Sequence, residues 1–223
     1  YKRQLSILLV LLMALTLLPL GALAEGDNKC GEDLTWNLDE IGILTISGTG
    51  DMYNYSEEPA PWSEYSDIIT SITIDYGVTS IGTSAFTGCS NVQQINIPDS
   101  VEHIDPYAFS FCNGLHTVKL PASLTLISEE LFAECANLKN IDIPDTVTEI
   151  GANAFLRCTA FILEKLPAGI KSIGASAFEN CGAVESLALP KTLESIGEAA
   201  FTGTVIDKAS FEGTPEKWKA IGG

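Results

Sequence analysis

The chain has few histidines, and their scarcity excludes several classes of function. Only two of its 223 residues are histidine, His103 and His116, and the repeat described below places them in different structural positions. A Ser-His-Asp triad has no support in such a chain, and a zinc site would need close Cys or His pairs, which do not occur. A glycine-rich phosphate loop is missing as well. We therefore predict no enzymatic activity, no catalytic residues, no metal and no cofactor.

Basic side chains are also scarce. The sequence has 12 Lys and Arg against 29 Asp and Glu, a net charge of −17 at pH 7. A chain this acidic is repelled by phosphates and by anionic lipid surfaces. The charge therefore excludes nucleic acid and membrane-surface partners, and it keeps an otherwise apolar molecule in solution.

Long apolar runs are confined to the first 24 residues. Lys2 and Arg3 precede an apolar run over residues 5–20, and the small-residue pattern ending at Ala24 follows it. We predict a signal peptide, residues 1–24, because about 16 apolar positions fall short of the roughly 20 that a spanning helix needs. An uncleaved membrane anchor is the alternative. Cleavage leaves 199 residues (223 minus 24), and we expect them to be secreted or at the cell surface.

What is abundant is repetition with a period of 23 residues. One phenylalanine recurs at this spacing: Phe86, Phe109, Phe132, Phe155, Phe178 and Phe201. A cysteine follows each of the first five by three positions, and Thr204 takes the sixth place: Cys89, Cys112, Cys135, Cys158 and Cys181. Prolines keep the same register: Pro98, Pro121, Pro144, Pro167 and Pro190. A period of this length indicates a solenoid.

Each unit opens with a short strand, as the fourth unit shows. Leu138, Ile141 and Ile143 are apolar, and polar residues separate the last two, which is typical of a strand with one buried face. Pro144 ends the strand because it lacks the N–H for a further ladder bond. We predict six rungs within residues 69–206: 69–91, 92–114, 115–137, 138–160, 161–183 and 184–206.

The second half of each unit predicts another strand and a bend. Val147 and Ile150 form a second apolar pair, and Gly151 after them indicates a tight bend or a positive φ. We predict that the following A-F-x-x-C segment is a helical turn that points its phenylalanine inward. Successive rungs run in the same direction, so their strands must pair in parallel.

The pattern L-x-x-I-x-I-P-x-x-V-x-x-I-G-x-x-A-F-x-x-C resembles the leucine-rich repeats of BspA-like (Treponema pallidum type) bacterial surface proteins, and the flanking segments look like those of gut-dwelling Gram-positive bacteria. The resemblance implies a leucine-rich repeat solenoid. It also implies a secreted or surface-attached, non-enzymatic module that binds proteins or host-cell surfaces, such as extracellular-matrix proteins. We expect a monomer. A structural spacer, or a fragment of a larger surface protein, is the alternative from another class.

The segments that flank the repeats are predicted to cap the stack. Residues 25–68 contain two alternating runs that indicate a β-hairpin, followed by an aromatic loop, and residues 207–223 form a C-terminal cap or begin a following segment. Trp36 and Trp62 in the N-terminal segment also leave open a glycan site, since aromatic rings stack on sugars.

The cysteines are predicted to be buried free thiols. Equivalent positions on neighbouring rungs lie about 4.8 Å apart with parallel Cβ directions, whereas a disulfide needs Cβ atoms roughly 3.5–4.5 Å apart and facing each other. Thr204 in the same position indicates that a small, weakly polar side chain is sufficient. Cys30 lies outside the ladder, and we expect it to be reactive only if it is exposed.

Alternation along the first strand predicts an outward row on each rung. These candidate binding residues are Ser71, Thr73, Gln94, Asn96, Thr117, Lys119, Asn140, Asp142, Leu163, Lys165, Ser186 and Ala188. They form a strip about 24–29 Å long, which suits a peptide or a patch of another protein. The alternative is that they are only solvent-tolerant strand residues.

Rung five departs from the pattern. Glu164 falls where Ile141 lies in rung four, and Leu163 falls on the outward face. A buried unpaired carboxylate is costly, so we predict a bulge or twist that brings Glu164 to water and turns Leu163 inward. If the register holds instead, Leu163 is an exposed apolar contact for a ligand.

Overall fold

The computed structural model describes residues 28–163, 165–184 and 186–221, which form a parallel β-solenoid. Each rung meets the equivalent segment of the next rung 23 positions along the chain, as the pairing of Gln94 with Thr117 shows. The predicted leucine-rich repeat solenoid, with about six rungs and short parallel strands, is confirmed. The predicted signal peptide lies outside the described residues.

The N-terminal segment starts the stack. β1 (Leu34–Leu38) and β2 (Ile43–Gly48) form an antiparallel hairpin. β3 (Gly50–Asp51) follows them and pairs in parallel with the second strand of rung one, β5 (Val78–Ile81). β2 in turn pairs in parallel with the first strand of rung one, β4 (Ser71–Ile74). The hairpin thus sets the parallel direction that the array continues.

The later rungs supply two rows of short strands. The first strands are β6 (Gln94–Asn96), β8 (Thr117–Lys119), β10 (Asn140–Ile141) and β13 (Leu187–Leu189). The second strands are β7 (His103–Ile104), β9 (Leu126–Ile127), β11 (Glu149–Ile150), β12 (Ser172–Ile173) and β14 (Ser195–Ile196). β6, β8 and β10 form one parallel sheet, and β9, β11, β12 and β14 form another. The strands are short because proline or a turn ends each one.

The predicted helical turns are wrong, since the A-F-x-x-C segments form hydrogen-bonded turns and not helices. Their amides bond to the next rung: Phe109 N–H donates to Leu131 O at 3.1 Å, and Phe132 N–H to Ala154 O at 2.9 Å. These bonds form a third ladder beside the two strand ladders. An α-helix would have to keep the same amides within its own segment.

The glycine after the second strand has a different role from the one predicted. Its φ is not positive; the left-handed residues lie two and six positions later, at Ser84 and Gly88 in rung one and at their equivalents in the other rungs. At Gly151, an added Cβ would lie 2.6 Å from Glu129 N of the preceding rung. Glycine is required there for close approach of two backbones.

The interior is a stack of aromatic rings. Successive ladder phenylalanines lie 5.2–5.8 Å apart between centroids, with interplanar angles of 5–20°. Trp62 continues the stack at the N-terminal end, 5.6 Å from Phe86, and its Nε1–H donates to Ala85 O at 2.7 Å. Trp36 packs edge-on against Trp62 at 5.8 Å. The aromatic residues of the N-terminal segment therefore cover the first ring of the array.

The first segment of rung five forms no strand in its described residues, 161–163 and 165–167. Phe161 replaces the aliphatic residue of other rungs and stacks on Phe155 at 4.8 Å. Leu163 is only 5% exposed, so its assignment to the outward face is wrong, whereas Ile162 beside it is 49% exposed. The large ring and the apolar side chains after it draw this segment into the core, as the bulge prediction expected for Leu163. The position predicted for Glu164 lies outside the described residues.

Residues 209–221 follow the sixth rung and begin with a strand that pairs with it. β15 (Ala209–Phe211) pairs in parallel with β13, and the helix α1 (Pro215–Ala220) follows. Thr214 caps this helix by accepting a hydrogen bond from Lys217 N–H at 3.2 Å. Trp218 then packs on Phe211 with centroids 5.4 Å apart. No helix in the described part of the chain combines the length and the apolar character that crossing a bilayer requires.

Candidate binding face

The first strands present a face of polar side chains. Nine of the predicted outward residues are exposed and Ser71 is partly exposed; the nine are Thr73, Gln94, Asn96, Thr117, Lys119, Asp142, Lys165, Ser186 and Ala188. The residues between them on each strand, such as Ile95 and Val118, are buried. Pleating therefore separates the two sets as alternation requires. Asn140 lies in β10, in register with Thr117.

The face is most regular across rungs one to three. Gln94 pairs with Thr117, and Asn96 pairs with Lys119, so their side chains form two rows across neighbouring strands. Together with Ser71 they line a shallow groove of about 420 Å³. Because the strands are rigidly paired, the groove presents its hydrogen-bonding groups in fixed positions.

A second groove, of about 680 Å³, lies beside the first and includes residues that alternation missed. Thr70, Gln93 and His116 line it from the position just before each predicted outward row, and Asn91 adds an amide. The signal was present in the sequence: the opening pattern apolar-x-x-apolar places two consecutive residues outside. Strict alternation along the strand predicts only the second of them on the face.

Hydrogen bonds hold part of this groove in place. His116 Nδ1 lies 2.6 Å from Gly114 O, and Asn91 Nδ2 donates to Asp67 O at 2.6 Å. Within the described residues, the side chains of Gln93 and Gln94 make no hydrogen bond. Their amides are therefore available to a ligand, as both donors and acceptors.

An apolar margin borders the groove at its N-terminal end. Ile41 and Ile68 are both exposed. They lie close together, because Thr70 Oγ1 donates to Ile41 O at 3.2 Å and Thr70 N–H donates to Gly42 O at 2.8 Å. Protein interfaces combine apolar contacts with hydrogen bonds, and this surface offers groups for both.

The charge of the face differs from that of the whole chain. The net charge is −17, yet rungs three to five present Lys119, Lys139 and Lys165 on this side. Lys165 Nζ lies 3.9 Å from Asp145 Oδ1, and both side chains are largely exposed, so this pair holds its lysine weakly. The face is therefore less acidic than the rest of the molecule.

The cysteine ladder is structural. The thiols of four rungs donate to the phenylalanine carbonyl of the preceding rung: Cys112, Cys135, Cys158 and Cys181, at 3.0–3.2 Å. Thr204 Oγ1 makes the same bond to Phe178 O at 2.5 Å. All six cysteines are free. Burial raises the pKa of Cys135 well above its usual range and the pKa of Cys30 to about 12, so neither thiol is a nucleophile at neutral pH.

The glycan site is not supported by the tryptophans on which it was based. Trp36 is 6% exposed and Trp62 is 1% exposed, so neither ring has a free face for a sugar. Both belong to the cover of the aromatic stack. Within the described residues, no group of three or more His, Cys, Asp or Glu side chains could hold a metal ion.

The fold and the polar strand face define the class of this protein as a bacterial-type leucine-rich repeat solenoid. A family model described as "BspA type Leucine rich repeat region (6 copies)" matches residues 64–163 and 161–222. The chain belongs to this family. Solenoids of this family are generally non-enzymatic binding modules, and protein binding or adhesion is the class of function that membership indicates.

Solved structures of leucine-rich repeat proteins share the fold. The Treponema pallidum leucine-rich repeat protein is 24% identical with a TM-score of 0.55, and the match covers 79% of this chain and 89% of that one. A protein from Eubacterium ventriosum is 20% identical (TM-score 0.53; 82% and 72% covered). One from Bacteroides ovatus is 26% identical (TM-score 0.53; 83% covered), and the match spans 53% of its length. No curated protein matches the chain.

Proposed function

We propose that this protein is a secreted or cell-surface module that binds a protein ligand through the strand face of rungs one to three. The observation that carries the proposal is the pair of adjoining grooves there. Their lining includes the uncommitted amides of Gln93 and Gln94, and the exposed side chains of Ile41 and Ile68 lie next to Thr70 at one end of the lining. Such a surface can bond to a peptide backbone and bury an apolar side chain beside it.

The proposed location follows from the sequence and the family. Residues 1–24 have the charge and apolar run of a signal peptide, and BspA-like proteins are surface or extracellular proteins. A host extracellular-matrix or cell-surface protein is the ligand class that we propose. Neutral and basic side chains on the face reduce the repulsion that an acidic ligand would otherwise meet.

An array of extracellular matrix and cell-surface proteins, probed with residues 25–223, tests the proposal. Once an interaction is found, we expect the combined change of Gln94, Asn96 and Lys119, which all line the first groove, to alanine to weaken it by at least about tenfold, which is about 1.4 kcal/mol. A matched control changes Thr125, Glu149 and Ser195, which are exposed on or beside the second strands, to alanine. Undiminished binding by the strand-face variant, or equal loss in both, would show that the ligand binds elsewhere.

A further inference from the structure

We propose that the turn of rung two, residues 107–111, is a docking site for a basic segment of a partner protein. Lys or Arg side chains of that segment would rest on Tyr107 and Phe111, beside the carboxylates of rung three. We call this surface the aromatic turn. It lies on the third ladder, away from the strand face, so the proposal does not depend on the function proposed above.

The aromatic turn is an exception within the repeat. Each rung has two left-handed positions in its turn. The first is occupied by Ser84, Tyr107, Glu130, Asn153, Ser176 and Ala199, and the second by Gly88, Phe111, Glu134, Arg157, Asn180 and Gly203. Only rung two has aromatic residues there, and it has them at both positions. The repeat therefore requires a left-handed backbone at these two positions, but it does not require the aromatic rings of Tyr107 and Phe111.

The ring of Phe111 contributes little to the fold. Its φ is 60°, a region that bulky residues rarely adopt, and the residue is 50% exposed. Glycine or asparagine, which other rungs use at this position, would satisfy the same backbone with less strain. An exposed aromatic side chain at a strained position points to a role outside folding.

Carboxylates of rung three lie beside the two rings. Phe111 N–H donates to Ala133 O at 2.8 Å, which aligns Phe111 with Glu134. Tyr107 N–H donates to Glu129 O at 3.1 Å, which aligns Tyr107 with Glu130, and the negative charge of Glu130 raises the pKa of the phenol. Rings next to carboxylates favour a cation, because the ring face and the carboxylate attract positive charge together.

The chain itself shows how a guanidinium binds here. Arg157 of rung four donates through Nη1 to Glu134 Oε1 at 2.8 Å. Arg157 therefore approaches Glu134 from the C-terminal side. A cationic side chain of a partner would approach from the other side, over the ring of Phe111.

That other side is open. At Gly88, which is aligned with Phe111 in rung one, an added Cβ would meet nothing within 4 Å, and Ser84 is small. The net charge of −17 attracts basic segments toward the molecule before contact. An uncharged apolar partner would have to desolvate the neighbouring carboxylates without compensation. The charge pattern therefore favours a basic segment.

Titration of the full chain with a peptide of alternating arginine and glycine, followed by calorimetry, tests the proposal. We expect Phe111→Asn and Tyr107→Ser each to weaken binding about two- to fivefold, and Phe111→Trp to preserve or tighten it. Tyr76→Asn is the matched control, because Tyr76 is 83% exposed, follows Asp75 and lies outside the aromatic turn. We expect it to leave binding unchanged.

Thermal melting of the same variants separates docking from folding. Phe111→Asn should melt at the same temperature as the parent chain or higher, because it relieves a strained backbone. Three outcomes would overturn the proposal: unchanged peptide binding in Phe111→Asn, an equal loss in Tyr76→Asn, or a clear fall in the melting temperature of Phe111→Asn. The second would indicate attraction by net charge alone, and the third a structural role for the ring.

Discussion

Rungs four and five differ in their first strands but share the same second strands and the same hydrogen-bonded turns. In rung four the first strand, β10, pairs in register with β8, whereas rung five has no strand in the described part of residues 161–167. One bond, from Ile162 N–H to Lys139 O at 3.2 Å, joins the two rungs there. The second strands and the turn ladder continue, since β12 pairs with both β11 and β14.

The comparison shows which part of the repeat holds the solenoid together. Across the break the phenylalanine stack keeps its spacing, with Phe155 and Phe178 5.2 Å apart, and Cys181 still donates to Phe155 O. The stack, the second strands and the turn ladder are therefore together sufficient to carry the fold past a rung whose first segment is not a strand. The strand face is free to vary, which suits a surface that binds.

Removing a ring from the stack should have the largest effect. Phe132 is fully buried between two rings, so Phe132→Ala should lower the free energy of unfolding by about 3–5 kcal/mol. Lys119→Ala, on the exposed strand face, should change it by less than about 0.5 kcal/mol. Chemical denaturation measures both. Similar losses in the two variants would contradict the division between interior and face.

Rung five allows a test of its own register. Leu163→Ala should cost about 2–5 kcal/mol because the side chain is buried, and Ile162→Ala should cost much less. In a regular rung both positions would face water, as Gln93 and Gln94 do in rung two, so both variants would then cost little. Denaturation of the two single variants decides between these arrangements.

The cysteine ladder should show a smaller effect that depends on hydrogen bonding. Cys135→Val keeps the approximate size but leaves Phe109 O with only the long bond from Cys112 N–H at 3.4 Å, so it should cost about 0.5–1.5 kcal/mol. Cys135→Thr should cost less, because Thr204 already occupies an equivalent position with the same bond. If the valine and threonine variants are destabilised equally, the cysteine ladder stabilises the protein through side-chain size and not through the hydrogen bond to the phenylalanine carbonyl.

Much of the architecture could be predicted because the same pattern of apolar residues, proline and phenylalanine recurs in six units. The periodic apolar positions identify the buried apolar strand residues of the repeat outside rung five, although not the buried Ser80, and the phenylalanine spacing predicts a stack. The turns could not be predicted in the same way. Their shape depends on left-handed residues such as Tyr107 and Glu130, whose side chains give no sign of that conformation.

The candidate face was only partly predictable. Alternation identified Gln94 and Asn96, but it missed Gln93 and His116 because two consecutive residues face outward where each strand begins. It also placed Leu163 outside, because alternation takes no account of the bulk of Phe161 two positions earlier. The alternation of polar and apolar residues describes a regular rung. It fails where a single large side chain, such as Phe161, changes the packing of the residues that follow it.

The interrupted first ladder also has a mechanical consequence. Under a force applied to its two ends, a solenoid yields rung by rung, and each rung of 23 residues releases about 70–80 Å of chain. Within the described residues, rung five shares fewer first-ladder bonds with its neighbours than rungs three and four share with each other, so we expect the array to part at rung five first. The N-terminal strand face would then stay folded while the C-terminal rungs extend as a tether.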